Sequence, residues 1–335
     1  MNTPAIPSRF ASQFQLSVPI ALAPMALASG GALAAACAQA GALGLVGGGY
    51  GELAWTQREY GLALERGPAE RIGCGFIVWK LDEDASALDW VLERRPRAVM
   101  LSFGDPRPYA ARIAAAGAQL LFQVQRLEQV PVALEAGATV IIAQGSEAGG
   151  HGMDANNGRA SLAFIPELAD WLAAHAPQTL LLAAGGIADG RTLAAARVLG
   201  ADGALVGSRL WATAESLAPA GAKQLAIAST GDSTARSSVF DILRRKSWPA
   251  PYDFRAIRNG LHRTWENRIA ELRASPDAAR AEYDAGVKAG DFSRAHATVG
   301  EAVGLINDLP PAADVIGRMG RDAEVLLARL GQARA

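Results

Sequence analysis

Four histidines occur in this chain of 335 residues, at 151, 175, 262 and 296, and His151 is the one set among glycines. It closes the segment Gln144–Gly152, QGSEAGGHG, with glycines at 145, 149, 150 and 152. Imidazole titrates nearest to neutrality of the side chains and so suits proton transfer. Glycine lets backbone approach a ligand closely and take φ > 0 at little steric cost. The apolar run TVIIA (Thr139 to Ala143) just before the segment reads as a buried strand. The histidine then sits on a loop at a strand's carboxyl end, placed for acid–base work on a small molecule. Glu147 lies four residues before His151, but the glycines argue against a helix that would align the two. It is read as an acceptor of backbone hydrogen bonds within the loop.

The other three histidines carry less. His175 lies in the helical pattern WLAAHAP and reads as solvated, and His262 and His296 fall in a charged later segment and read as surface residues. No pair has HxxxH or similar spacing, so no metal site is expected.

Two further strand ends carry bare glycines. AAGGIADGR (Ala183 to Arg191) ends its strand on Gly185 and Gly186, with Asp189 able to cap the next helix. VGSRLWA (Val206 to Ala212) offers Gly207 and Ser208. Barrels of alternating strands and helices often bind a phosphate on the loops after their seventh and eighth strands, using backbone N–H groups and a helix N-terminus. Neither GxGxxG after the first strand nor GxxxxGK[ST] is present, which tells against a dinucleotide or P-loop site. Flavin mononucleotide (FMN), with one phosphate and a flat ring, fits better.

Eight apolar runs supply the strands that would hold these residues: Ile20–Ala23, Leu43–Val46, Cys74–Val78, Ala98–Ser102, Gln119–Gln123, Val140–Ala143, Leu180–Ala183 and Ala204–Val206. Helical stretches such as Gly31–Ala40, Glu83–Leu92, Tyr109–Ala116 and Leu127–Ala136 alternate with them, and Gly117, Gly137 and Gly200 follow helical runs as C-terminal caps do. Continuous apolar strands alternating with helices imply an α/β fold of parallel strands buried on both faces. Eight such units fit a closed (β/α)8 TIM barrel over residues 1–220. Beyond it, charges become dense and the apolar spacing turns helical through Ala256–Arg273 and Asp277–Ala289. Ser275 is placed to cap the latter helix, with Pro276 in its first turn. Residues 221–299 are read as a mostly helical second domain over the barrel mouth, and 300–335 as a segment returning to the barrel, with a helix over Ala313–Ala333. Trp248, Tyr252 and Trp265 could cap the site; core packing between the units is the preferred reading.

Composition bounds the rest. Half the residues are apolar, and 32 basic against 33 acidic side chains give a net charge of −1, so no nucleic-acid partner is expected. Two cysteines, Cys37 and Cys74, lie in apolar surroundings and read as free thiols of a reducing, cytoplasmic compartment. The first 40 residues resemble a secretory signal. Pro19, Pro24 and many small residues interrupt them, however, so a buried strand, a loop and a small-residue helix are expected in place of a membrane span.

The segments PIALAPMALASGGALAAACAQAGALGLVGGGYG, AQGSEAGGHGM, LLLAAGGIADGR and GADGALVGSRLWATAES resemble the nitronate monooxygenase family, formerly called 2-nitropropane dioxygenases. The EAGGH motif is shared with the flavin-dependent enoyl-acyl-carrier-protein reductases. GGGYG and WPAPYDFRAIRN (Trp248 to Asn259) look more like the monooxygenase branch. The resemblance implies an FMN enzyme that needs no metal and oxidises alkyl nitronates with O₂ to a carbonyl compound and nitrite, through a flavin semiquinone. By position, it implies that Ala23, Pro24 and Met25 line the flavin through their backbone and that Gly75 lies beside the ring. Gln123 and Gln144 would reach the ring or ribityl chain, and Gly149 and Gly150 would pack against the cofactor. Gly185, Gly186, Gly207 and Ser208 would hold the phosphate, with His151 as the catalytic base. The alternative is a nicotinamide-dependent flavin reductase acting on enoyl thioesters or quinones. The partners expected are a small nitronate and O₂, for a monomer or homodimer.

Overall fold

In the computed structural model, residues 8–332 are described. The outer ends of the first and last expected segments, and Ala333 of the expected terminal helix, lie outside the described residues. The strands, in chain order, are β1 (Ile20–Leu22), β2 (Gly44–Gly49), β3 (Ile72–Ile77), β4 (Ala98–Ser102), β5 (Gln119–Val124), β6 (Val140–Gln144), β7 (Gly150–Met153), β8 (Leu180–Ala184), β9 (Gly203–Val206), β10 (Thr234–Ser237) and β11 (Tyr252–Ile257). Eight of them form one parallel sheet in the order β1-β9-β8-β6-β5-β4-β3-β2. The ring closes between its two ends: the Leu43 N–H donates to Ile20 O at 2.9 Å and the Leu22 N–H to Leu43 O at 2.8 Å. The fold is the (β/α)8 barrel that the eight apolar runs imply.

Alternation along the strands sorts the barrel's side chains. Ala21, Leu45, Met100, Leu121, Val140, Ile142, Leu180, Leu182 and Leu205 cluster with Phe10 and Phe14, which come from the helix Arg9–Phe14. Leu22, Val46, Cys74, Val99, Phe122, Ile141, Leu181 and Ala204, the intervening positions, pack with the surrounding helices. The barrel is therefore filled, not hollow. The signal-like N-terminal stretch contributes Phe10, Phe14, β1 and the helix Gly31–Gln39 to this core. Cys37 and Cys74 are free and buried, and burial pushes both thiols up, Cys74 to about 12. No helix among the described residues is long and apolar enough to cross a membrane.

The expected helix ends hold: Gly117, Gly137 and Gly200 have φ of +72°, +78° and +102°, and Asp189 accepts the Thr192 N–H at 2.9 Å to cap Gly190–Val198. Other expectations need correction. The Gln144–Gly152 segment is not wholly loop, because Gly150–Met153 is a strand that pairs antiparallel with β11, which pairs in turn with β10. Residues 221–299 thus contribute two strands besides their helices. Ala256–Arg273 is not one helix: Ala256 and Ile257 end β11, and two short helices, Gly260–Trp265 and Ile269–Ala274, follow. The helix Asp277–Ala289 begins where expected, but Ser275 closes the preceding helix and makes no side-chain cap. The terminal helix Ala312–Gln332 returns to pack on Gly190–Val198 and Gly31–Gln39.

Candidate active site

The strand alternation that fills the barrel also builds a ring at its carboxyl end. Two positions beyond the core residues Ala21, Leu121, Ile142 and Leu205 come Ala23, Gln123, Gln144 and Gly207. Gly75, in register with Met100, faces the same way. A Cβ on Gly75 would stand 2.2 Å from Pro24 Cγ, and one on Gly207 would meet Ala23 Cβ at 3.7 Å and Met25 Sδ at 3.8 Å. Five of the residues singled out from the sequence, Ala23, Pro24, Met25, Gly75 and Gly207, therefore form one wall.

The next glycines lie on the adjoining strand ends. Gly185 and Gly186 hold φ of +97° and +77°, backbone that favours glycine. A Cβ on Gly185 would stand 3.1 Å from Ala148 N, whereas one on Gly186 would meet nothing nearer than Glu147 Cβ at 4.0 Å. Ser208 Oγ accepts the Gly300 N–H at 2.8 Å, which leaves its own O–H to donate elsewhere. Gly149 is pressed against the returning chain, since its Cβ would lie 2.5 Å from the Val299 carbonyl carbon and Gly300 N. Glu147 reaches beyond its own loop: its carboxylate accepts from the Ser161 N–H at 2.9 Å and the Ser161 hydroxyl at 3.0 Å.

His151 sits on β7 with its carbonyl fixed by the Gln144 side-chain amide at 2.9 Å, and Gln144 Oε1 accepts from Gln125 at 2.9 Å. Register pairs His151 directly with Phe254 of β11, so their side chains share a face, with ring centroids 4.7 Å apart. The short helix Val239–Leu243 brings Asp241 against the imidazole. His151 Nε2 lies 2.9 Å from Asp241 Oδ1 and 3.1 Å from Oδ2. Both side chains are buried, 8% and 5% exposed. Burial lowers the histidine to about 4; Asp241 opposes that shift, and the Arg244 and Arg236 cations add to it. The imidazole is thus neutral at physiological pH.

Arg236 of β10 knits the loop in place. Its guanidinium donates to the carbonyls of Asp253 (2.6 Å), Ala148 (2.8 Å) and Gly150 (3.2 Å), and burial lowers it to about 10. Trp248 covers the imidazole, against the preferred expectation that it only packs between units. Trp265 does pack on the apolar cluster of the later unit. Two of the other histidines are not surface residues. His262 is 2% exposed and bonded to Ser237 Oγ at 2.8 Å, and His296 bonds the Tyr283 hydroxyl at 2.6 Å. His175 is exposed, as expected. A cavity of about 260 Å³ opens beside the site between the ends of β4 and β5, lined by Phe103, Phe122, Gln123 and Gln129 among others.

A walled ring of bare backbone at a barrel's carboxyl end, with a neutral histidine above it, is suited to a flat ligand and a proton transfer. Comparison with known proteins agrees, because residues 69–322 match the family described as nitronate monooxygenase. The chain belongs to that family. A nitronate monooxygenase of Neurospora crassa is 31% identical over 339 residues, covering 90% of this chain and 88% of its own. Among solved structures, FabK from Thermotoga maritima is similar with a TM-score of 0.82 at 23% identity, covering 98% of this chain and 99% of its own. A nitroalkane oxidase from Streptomyces ansochromogenes is similar at 0.78 and 24%, covering 97% and 100%. At such identities the two structures carry the barrel and not the reaction. Family membership makes the protein an oxidoreductase of nitronates, within a family of flavin enzymes.

Nothing in the sequence pointed to Asp241, Arg236, Gln125 or Arg244. Asp241, Arg236 and Arg244 lie in segments whose composition is that of ordinary helix and polar strand, and Gln125 follows the apolar run of β5; the pairing of β10 with β11 and of β11 with β7 brings the first three to the histidine and its loop.

Proposed function

We propose that this member of the nitronate monooxygenase family binds FMN and oxidises small alkyl nitronates with O₂ to a carbonyl compound and nitrite, with His151 as the base when the neutral nitroalkane is bound. The observation that carries the reading is a buried, neutral imidazole, fixed by Asp241 and stationed above a ring of backbone at the barrel's carboxyl end.

The residues fit a flavin of this size. The clearance between Gly75 and Pro24 leaves no room for a side chain, which supports a flat wall for the ring built from Ala23, Pro24, Met25 and Gly75. Gln123 and Gln144 come from the adjacent strands β5 and β6, and Gly149 and Gly150 follow on the chain that runs from β6 into β7. Gly185, Gly186 and Gly207 present backbone and Ser208 a hydroxyl, the donor set a single phosphate needs. When bound, the flavin supplies the redox exchange between a nitronate carbanion and O₂.

The chain's own residues do the rest. The neutral imidazole accepts the α-proton, whose bonding pair stays on carbon as the nitronate. The imidazolium so formed faces the Asp241 carboxylate, which offsets its charge in a dry site. The aromatic rings over His151 exclude water and favour apolar alkyl groups.

The test is direct. The purified protein is expected to be yellow, to change its flavin absorbance when propionate-3-nitronate is added without air, and to recover on aeration with nitrite formed. A colourless protein overturns the reading. So does NADH-driven reduction of an enoyl thioester or quinone with no nitrite from nitronate.

A further inference from the structure

The proton-accepting atom can be assigned from the contacts on the other side of the ring. We propose that Asp241 is a positioning residue that holds His151 as the Nε2–H tautomer and so makes Nδ1 the proton acceptor. The inference rests on the reading of His151 as the base.

Both Asp241 oxygens lie within 3.1 Å of the same ring nitrogen, Nε2. An ionised carboxylate only accepts hydrogen bonds, so Nε2 must bring the hydrogen. A neutral imidazole has one N–H, and the lone pair is then on Nδ1. Among the described residues no protein group hydrogen-bonds Nδ1, so that lone pair is free for a ligand. The ring has little freedom to exchange its nitrogens. Trp248 stacks on one face, Phe254 meets it at 4.7 Å, and the backbone carbonyl is pinned by Gln144. Asp241 is itself held, on a short helix whose buried neighbours Val239, Phe240, Ile242 and Leu243 all pack in one apolar cluster. Arg244 Nη1 places a counter-charge 3.9 Å from Asp241 Oδ1.

In the step itself the α-carbon loses a proton to Nδ1 and keeps the electron pair, giving the nitronate and an imidazolium whose Nε2–H still donates to Asp241. A substrate that arrives already as the nitronate has no such proton to lose. Asp241 therefore matters to one substrate form and not the other, a split that a merely structural carboxylate would not produce.

The experiment uses the flavin-loaded enzyme with ¹⁵N-labelled histidine. Side-chain ¹⁵N–¹H correlation at pH 7, with His151 identified by its loss in His151→Asn, is expected to show a protonated Nε2 and a bare Nδ1. A protonated Nδ1 in the wild type overturns the assignment, and this arm needs no Asp241 variant to fold. In Asp241→Asn of unchanged flavin content, kcat/KM for a neutral nitroalkane is expected to fall by about 10²-fold or more while that for preformed nitronate stays within a few-fold. Asp241→Glu should recover part of the loss. If Asp241→Asn retains nitroalkane turnover that His151→Asn loses, the positioning role is wrong and the base stands. If His151→Asn retains it too, the base reading falls and this inference with it.

Discussion

Trp248 lies flat on the His151 imidazole, the two ring centroids 3.4 Å apart and the planes 12° from parallel. Its indole N–H donates to the Tyr50 hydroxyl at 3.1 Å. Trp79, Phe103 and Tyr252 meet it edge-on at 5.4, 4.9 and 6.2 Å, the geometry that aromatic quadrupoles favour. One side chain from the later part of the sequence thus keeps water from the histidine of the earlier part.

Trp248→Ala should therefore act on the titration of His151. Burial is the main cause of its depressed value, so opening one face to water is expected to raise it toward the usual 6.5. Trp248→Phe, which keeps an aromatic cover, should move it less. Histidine NMR titration of both variants decides the point, and an unchanged value in Trp248→Ala would show that the indole contributes nothing to the depression.

Acid should destabilise the folded protein before it protonates the site. His151 and His296 are lowered by burial to about 4 and about 3. In the unfolded chain both take up protons near 6.5. As pH falls below that value, the unfolded state binds protons that the folded state refuses, so stability drops until the folded values are reached. A loss of a few kcal/mol is expected between about pH 6.5 and 4. Nitroalkane turnover per folded molecule should stay level down to about pH 5. Thermal melts and initial rates across that range test both statements, and a melting temperature that is flat from pH 7 to 4 would refute the first.

Gly75→Ala is expected to cost flavin. Its new methyl would stand 2.2 Å from Pro24 Cγ and 2.4 Å from Pro24 Cβ, so the ring wall must shift. Overpacking of this kind costs about 1–3 kcal/mol. The flavin-to-protein absorbance ratio after purification reads the effect, and full occupancy with an unchanged melting temperature would show that the wall lies elsewhere.

Arg236→Lys should loosen the histidine loop. The guanidinium serves carbonyls of the loop before β7, of β7 itself and of its partner β11, at Ala148, Gly150 and Asp253. A single ammonium cannot present the same fork. A loss of about 2 kcal/mol or more is expected from the unpaired carbonyls, read as a lower urea midpoint together with reduced kcat. Wild-type values of both would remove Arg236 from the account of the site.

What the sequence made legible followed from burial. Each barrel strand is an apolar run because both its faces are covered, and the glycine-bearing ends stood out because bare backbone is costly unless something needs it. The antiparallel sheet was hidden. GHGM has two glycines and no β-branched residue, TARS is largely polar, and their partner β11 lies about a hundred residues beyond β7. Ala256–Arg273 read as one helix because Ile257, Leu261, Trp265 and Leu272 fall at helical spacing, although the first of them ends a strand. His262 and His296 were misplaced because the charges around them suggested solvent, whereas Ser237 and Tyr283 satisfy them inside. Asp241 in VFDILRRK looks like any acidic residue on a short helix; only long-range pairing gives it a histidine.

The pairing of β7 with β11 also orders events in time. The eighth barrel strand ends at Val206, but the strand that fixes the histidine ends only at Ile257. A chain emerging from the ribosome has all eight barrel strands before it has the partner of Gly150–Met153, which stays an unpaired edge until β11 has been made. The histidine is therefore set only after β11 has emerged, and a chain cut short before Ile257 would carry every barrel strand without a working histidine.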